Sequence, residues 1–165
     1  MSDDTKDQVH RDLVANLRDE GALDKMQHGW LAADDWGAAL ERVRAQHFAE
    51  LPVDEGNRRV GSLLAERFLA SNEGQLVRVS LEAVPRQSLF GKLVPMMGQR
   101  LRSAIRFEWV PSSGGGRLRI LGKRSAPVEV TFGFLQAIVQ LMSPPPSIAI
   151  ETIEPELVIV RVDGL

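Results

Sequence analysis

The stretch from Glu55 to Leu69 constrains the fold of this chain more than any other. Its apolar residues Val60, Leu64 and Phe68 recur every four positions, which predicts an amphipathic helix with one face turned towards a core. Gly61 lies beside that face, and a glycine inside a helix costs about 1 kcal/mol relative to alanine. We therefore expect another element to approach the helix closely at Gly61, because close approach is the usual reason for such a glycine.

Further helices are predicted on either side of residues 20–33. One runs from Lys6 to about Asp19, after a disordered start at residues 1–5, and another from Asp34 to about Phe48. Asp34 and Asp54 are interpreted as N-caps, since a carboxylate at that position satisfies free amide groups and complements the helix dipole. We expect neither to act as a general acid or base.

The chain from residue 76 to residue 103 is harder to assign. Residues 76–84 fit a short strand or a helical turn equally well. Residues 89–103 fit a helix, but Pro95 removes one of its hydrogen bonds and should kink or split it. The adjacent Met96 and Met97 have flexible side chains that can fill the irregular gap left by such a kink.

Alternating apolar and polar residues predict a sheet in the rest of the chain. A run that is apolar nearly all round, residues 133–142, predicts a buried helix. The alternating segments are residues 105–110, 117–121, 128–132, 148–153 and 156–162.

This order of elements predicts an α+β fold. We expect N-terminal helices packed on an antiparallel sheet of about four to five strands, with one buried helix inserted between strands. A length of 165 residues suits one globular domain. That domain should span residues 6–165, mainly helical over 6–103 and mainly sheet over 104–165.

Composition excludes several classes of function. The net charge of −2 gives no electrostatic case for nucleic-acid binding, and the absence of cysteine excludes disulfides and thiolate metal sites. No apolar run approaches the roughly 20 residues that a membrane span needs. The acidic, polar start is unlike a signal peptide, so we expect a cytoplasmic protein.

The candidate metal ligands are few. Of the three histidines, His10, His28 and His47, no two are three or four positions apart, and no nearby carboxylate completes a helical metal motif. We expect ordinary surface or boundary histidines, no metal site and no cofactor. Since no nucleophile, metal cluster or cofactor loop is evident either, a catalytic role is not predicted.

A group of basic residues marks one candidate binding surface. If strands 105–110 and 117–121 pair, Arg106, Arg117 and Arg119 share the outer face of the sheet, where arginine can grip phosphates and carboxylates. The alternative is a solvated face balanced by Glu108 and Glu129.

Bulky apolar residues mark a second candidate site, an apolar pocket. The alternative is that they form ordinary core, although methionines beside a proline are also where adaptable pockets form. The candidate pocket-lining residues are Phe68, Phe90, Met96, Met97 and Phe134, and Trp109 and Phe132 could line the same pocket.

The run that begins at Trp36 resembles a group of uncharacterised proteins found largely in myxobacteria. They share a tryptophan before a helix and the stretch LP-x-x-EG-x-R-x-x-G, which here ends at Gly61. The similarity extends over roughly residues 13–162 and includes a helix with a Gly-Phe pair, here Gly133-Phe134.

The same layout is distantly similar to a larger superfamily. It includes haem-nitric-oxide/oxygen-binding domains, four-vinyl-reductase-type ligand-binding domains and a subunit type of the vesicle-tethering TRAPP complex. In these, a G-x-x-L-x-x-x-F helix similar to residues 61–68 packs near a sheet, and many members enclose an apolar pocket. The haem-binding members carry Tyr-x-Ser-x-Arg and the palmitoylated TRAPP subunits use a cysteine, whereas this chain has neither tyrosine nor cysteine. The resemblance therefore implies the scaffold without its ligand chemistry.

Together these observations favour a non-catalytic regulatory or interaction module. Its partner would be a protein or a small apolar or anionic ligand, and a homodimer remains an option. The alternatives are an enzyme of unrecognised type and a carrier of apolar small molecules or lipids that uses an internal pocket.

Overall fold

A computed structural model describes residues 3–19, 33–83, 85–86, 88, 90–91, 94, 105–124 and 126–165. These residues form five continuous helices and four strands. In chain order the elements are α1 (Asp3–Asp19), α2 (Ala33–His47), α3 (Val53–Ala70), α4 (Asn72–Ala83), β1 (Arg106–Ser112), β2 (Gly115–Leu121), α5 (Val128–Val139), β3 (Ser147–Glu154) and β4 (Leu157–Asp163).

The four strands form one antiparallel sheet in the order β1-β2-β4-β3. The turn between β1 and β2 needs a residue in the left-handed region, and Gly114 occupies it with a φ of 73°. α5 lies between β2 and β3 in the chain. The α+β prediction, with one buried helix inserted between the strands of an antiparallel sheet, is confirmed.

The chain divides into two compact units. The first comprises Met1–Ala65 with Ser125–Leu135, and the second comprises Glu66–Arg124 with Gln136–Leu165. The single domain over residues 6–165 stays a prediction.

The core of the first unit lies among α1, α2, α3 and α5. Each helix contributes the apolar side of its sequence, as the periodicity predicts. The buried residues of this core are Val9, Leu13, Ala39, Leu40, Val43, Phe48, Val60, Leu63 and Val130.

Gly61 marks a close crossing of α3 and α5, as predicted. A Cβ on Gly61 would overlap the carbonyl oxygen of Val130 and would lie 2.8 Å from the backbone nitrogen of Phe134. The contact is reciprocal, since a Cβ on Gly133 would overlap the carbonyl oxygen of Arg58. Two glycines, one from each helix, thus allow the two backbones to touch.

A tight corner ends α3 at Ala70. The Ser71 hydroxyl donates to the carbonyl oxygen of Phe68 at 2.6 Å and accepts from the amide of Gly74 at 3.1 Å. Gly74 packs directly on the backbone of residues 68 and 69. The chain then continues as α4, so the ambiguous residues up to Ala83 are helical rather than extended.

The core of the second unit lies on the inner face of the sheet. Leu118, Ile120 and the alternate residues of β4 are buried there, and helical residues from elsewhere in this unit pack against the sheet. The cluster comprises the buried Phe90, Val139, Met142 and Val162 and the partly buried Leu81, Trp109, Ile148 and Leu165, and it is called the Trp109 cluster below.

The strand predicted at residues 128–132 is wrong, because these residues form the first turn and a half of α5. Five residues of alternation are too few to distinguish a strand from a helix. The stronger signal is Pro127 followed by Glu129, since proline before a first turn and an acidic residue within it both favour a helix start. α5 also ends at Val139 rather than Met142.

The two predicted N-caps are shifted. α2 begins at Ala33, one residue before Asp34. In α3 the carbonyl oxygen of Pro52 accepts the first helical hydrogen bond, from Gly56 at 2.9 Å, so Pro52 is the N-cap and Asp54 lies within the first turn. There its charge still complements the helix dipole.

Candidate functional site

The outer face of the sheet carries the predicted arginines. In the antiparallel register Arg119 faces Glu108, and Arg117 faces Val110 two residues further along. Because side chains alternate between faces, Arg106, Arg117 and Arg119 all lie on this side of the sheet. The structure therefore brings the three residues onto one face, and Arg161 of β4 joins them opposite Arg117.

Every one of these guanidinium groups has a carboxylate partner. Glu108 is shared, since it accepts from Arg106 and, at 3.3 Å, from Arg119. Arg117 donates two hydrogen bonds to Glu151, from Nε at 2.6 Å and from Nη2 at 3.1 Å. Sequence reasoning missed Glu151, which lies at a register shift in β3 and reaches Arg117 across β4.

The Arg117–Glu151 pair is a bidentate ion pair on this face. The hydrogen bond from Arg117 holds the pKa of Glu151 below its ordinary value, and the same bond raises the pKa of Arg117. An incoming anion must therefore displace a bidentate carboxylate. This geometry favours the alternative interpretation, a balanced and solvated face, although its second balancing residue is Glu151 rather than Glu129, which lies in α5.

The predicted pocket residues are found in different places. Phe90 is buried and stacks on Trp109, with ring centroids 4.8 Å apart and an interplanar angle of 26°. Phe68 is half-buried in the last turns of α3, and Phe134 is half-buried in α5. Met96 and Met97 lie outside the described residues.

The indole nitrogen of Trp109 is an unexplained polar group. Its Nε1–H is buried and has no hydrogen-bond acceptor among the described residues. The sequence identifies Trp109 as an inward-facing strand residue but does not show that its donor is unpaired. A tryptophan on the apolar face of a strand nonetheless indicates a buried donor whose acceptor must be looked for, because a buried indole N–H usually finds a partner.

The two histidines in the described segments lie in α1 and α2. Nε2 of His47 lies 2.7 Å from Oδ2 of Asp12, and both side chains are mostly buried. Asp12 also accepts from Gln8 at 2.8 Å and from Gln46 at 3.1 Å. This network, which the sequence did not predict, joins α1 to α2. No three histidine or acidic side chains in the described part of the chain approach closely enough to hold a metal ion.

No helix among the described residues combines the length and the apolar composition that a membrane crossing requires.

No protein-family model matches this sequence, and no curated protein matches it. Several solved structures are similar in fold, and three of them are compared with this chain. One, from work on haem redox potential and protein-induced porphyrin distortion, has a TM-score of 0.58 at 14% identity and covers 92% of this chain and 96% of its own.

The other two are H-NOX proteins. A mutant H-NOX protein from K. algicida, in the Fe(II) unliganded state, has a TM-score of 0.57 at 13% identity, with 95% of each chain covered. An H-NOX structure from work on haem distortion has a TM-score of 0.55 at 14% identity, covering 95% of this chain and 93% of its own. At these identities the likeness shows an H-NOX-like fold.

The described residues include few candidate haem ligands. Protein ligands to haem iron are histidine, cysteine, methionine or tyrosine, and this chain has no cysteine or tyrosine. His10 lies in α1, Nε2 of His47 is engaged by Asp12, and Met142 is buried in the Trp109 cluster. The likeness to the H-NOX structures is therefore one of fold, and among the described residues His47 and Met142 already have partners within the protein.

Proposed function

We propose that this chain is a non-catalytic regulatory or sensing module that binds a small ligand or a protein partner without haem. The supporting observation is an H-NOX-like fold over more than nine-tenths of the chain, combined with few candidate haem ligands among the described residues. One fold hosts many functions, so the fold supports the ligand-binding class and the residues determine its chemistry. Membership of the myxobacterial group and a cytoplasmic location belong to the same proposal.

An enzyme of unrecognised type is less well supported. Asp12 and His47 are the nearest approach to an acid–base pair, but they bind each other and two glutamines between α1 and α2. A pair held in this way stabilises a helix contact, and general acid–base work needs a group within reach of a substrate proton.

A small ligand is better supported than an anionic partner on the arginine face. The arginines already have carboxylate partners, and displacing these would offset the gain from a new ion pair. The Phe90–Trp109 stack instead places, among apolar side chains, one donor that has no acceptor in the described part of the chain, which suits a small, mainly apolar molecule. The same observation favours the carrier of apolar small molecules as the second candidate function. A homodimer belongs to the same proposal.

The absence of haem is tested by visible absorption spectroscopy. We expect purified protein to be colourless, and protein mixed with haemin and passed through gel filtration to retain no Soret band. A Soret band that survives gel filtration at one haem per chain, and is lost on replacing a single histidine, would contradict the proposal.

The ligand-binding role is tested by native mass spectrometry of freshly purified protein. We expect a fraction of the protein to carry a small molecule that is released on denaturation. Protein that carries no small molecule, and captures no partner from its native lysate, would leave the enzyme alternative as the better account.

A further inference from the structure

We propose that the Trp109 cluster binds a neutral, mainly apolar molecule with one hydrogen-bond-accepting oxygen, and that Nε1–H of Trp109 donates to that oxygen. Ketones, esters and amides belong to this chemical class. The inference rests on the proposed function, because it specifies the site and the ligand class for a small-ligand module.

The unpaired donor is the first observation. Nε1 of Trp109 is buried, and no acceptor among the described residues lies within hydrogen-bonding distance. A buried donor without a partner loses its hydrogen bond to water and gains nothing in return. Such groups are rare in folded proteins, and one that persists calls for a bound water, ion or ligand as its explanation.

The direction of this donor is set by the packing of the ring. Phe90 stacks on the indole with ring centroids 4.8 Å apart. The six-membered ring also lies against Gly116 of β2, where a Cβ would come within 2.6 Å of its Cη2 atom. The indole is thus confined by an aromatic ring and by a strand position that carries no side chain, so its N–H is preorganised rather than free to turn.

The surroundings of the indole determine the charge of the ligand. The other members of the Trp109 cluster are apolar side chains. Burial of a carboxylate among these side chains would carry a large desolvation cost. A neutral carbonyl or ether oxygen can accept the hydrogen bond without that penalty.

The rim of the cluster provides an approach. Leu81, Ile148 and Leu165 are only partly buried, as is Trp109 itself, whereas Phe90 and Val139 are deeply buried. Met142 adjoins them, and its flexible thioether side chain adapts to the shape of a neighbour. A small molecule therefore meets the edge of the cluster before its closely packed centre.

The test compares two molecules of similar shape that differ in the acceptor. Acetophenone carries a carbonyl oxygen, and ethylbenzene does not. In 1H–15N spectra of the protein, we expect acetophenone to move the indole N–H signal of Trp109 downfield in a saturable manner, and ethylbenzene to leave its hydrogen-bonding state unchanged. The signal is assigned with Trp109→Phe, which removes the N–H and keeps an aromatic ring.

Affinity gives the second readout. We expect acetophenone to bind the wild type about tenfold more tightly than ethylbenzene, as befits one hydrogen bond, and Trp109→Phe to abolish that preference. Trp36→Phe is the matched control, since Trp36 packs in the core of the first unit, and it should keep the preference.

The proposal is overturned if the two molecules bind equally, or if acetophenone leaves the Trp109 signal in place. The wild-type spectrum decides this even if Trp109→Phe does not fold. If the acetophenone test fails but native mass spectrometry finds another small molecule on the purified protein, the Trp109 site is excluded and the proposed function is kept. A retained haem would remove the proposed function itself.

Discussion

Gly61 and Gly133 are the residues on which the first unit most depends. Each lacks a side chain where the other helix brings a backbone carbonyl group into contact. The helix propensity lost at a glycine is small compared with the overlap that a methyl group would cause there. The sequence alone pointed to Gly61, because the cost of a glycine beside the apolar face of a helix is usually offset by close packing.

Gly61→Ala should therefore destabilise the protein by about 1–3 kcal/mol in spite of its better helix propensity. The matched control is Gly91→Ala, because Gly91 is also helical and a Cβ there would meet nothing within 4 Å. The control should gain about 0.5–1 kcal/mol. Denaturant melts measure both variants, and an unchanged or raised midpoint for Gly61→Ala would show that the helices do not need to touch.

At the scale of elements, the sheet presents two faces with different tasks. The inner face buries the alternate residues of β2 and β4, and the outer face holds the arginine–carboxylate pairs. Removing inner-face residues should unfold the protein. The outer pairs are solvent-exposed, and such pairs contribute little to stability.

Charge reversal at Arg117 and Arg119 tests the outer face. The double variant Arg117→Glu/Arg119→Glu should melt slightly below the wild type, because the new carboxylates face Glu151 and Glu108. It should remain folded. If this face binds an acidic partner, pull-downs from native lysate should lose that partner with the double variant, and an identical set of captured proteins would exclude the face.

The Arg117–Glu151 pair also predicts an acid sensitivity. Because the pKa of Glu151 is lower in the folded protein than its ordinary value of 4.5, the unfolded state binds more protons as the pH falls. The contribution of this pair is therefore present above pH 4.5 and is lost as the pH falls through the lower, folded pKa.

Glu151→Gln should remove this contribution, so its melting temperature should fall less steeply than that of the wild type below pH 4.5. Glu41→Gln should flatten the acid profile in the same way, because the hydrogen bond from Arg44 lowers the pKa of Glu41 within α2. Parallel acid profiles for the wild type and Glu151→Gln would contradict the role assigned to the pair.

At the scale of the whole molecule, the chain length predicts one cooperative domain. A single cooperative domain unfolds in one transition, so probes in different places should report the same midpoint. Trp36 belongs to the core of the first unit and Trp109 to the cluster of the second. Two variants that also carry Trp30→Phe each retain one tryptophan, either Trp36 or Trp109. In each variant, the unfolding midpoint measured by tryptophan fluorescence should equal the midpoint measured by far-ultraviolet circular dichroism on the same sample. A fluorescence midpoint that differs from that signal in either variant would indicate two domains.

Local sequence patterns predict the order of the elements and the nature of most of them. Periodicities of about four and of two distinguish helix from strand where the run is long, so α1 to α3 and the two hairpins were predictable. The contact at Gly61 was predictable as well, because glycine disfavours a helix while the apolar spacing around it predicts one. The pattern failed at residues 128–132, where the run is short and three β-branched or aromatic residues alternate by chance within a helix.

Which side chains meet depends on long-range folding. Glu151 reaches Arg117 from two strands away, Asp12 meets His47 across two helices, and Phe90 stacks on Trp109 from a distant part of the chain. These contacts depend on strand order, register and helix crossing, which no local pattern encodes. The candidate sites follow from these contacts. The arginine face is compensated by Glu151, which sequence could not assign to it. The indole N–H of Trp109 has no acceptor among the described residues, and only the folded arrangement of those residues shows this.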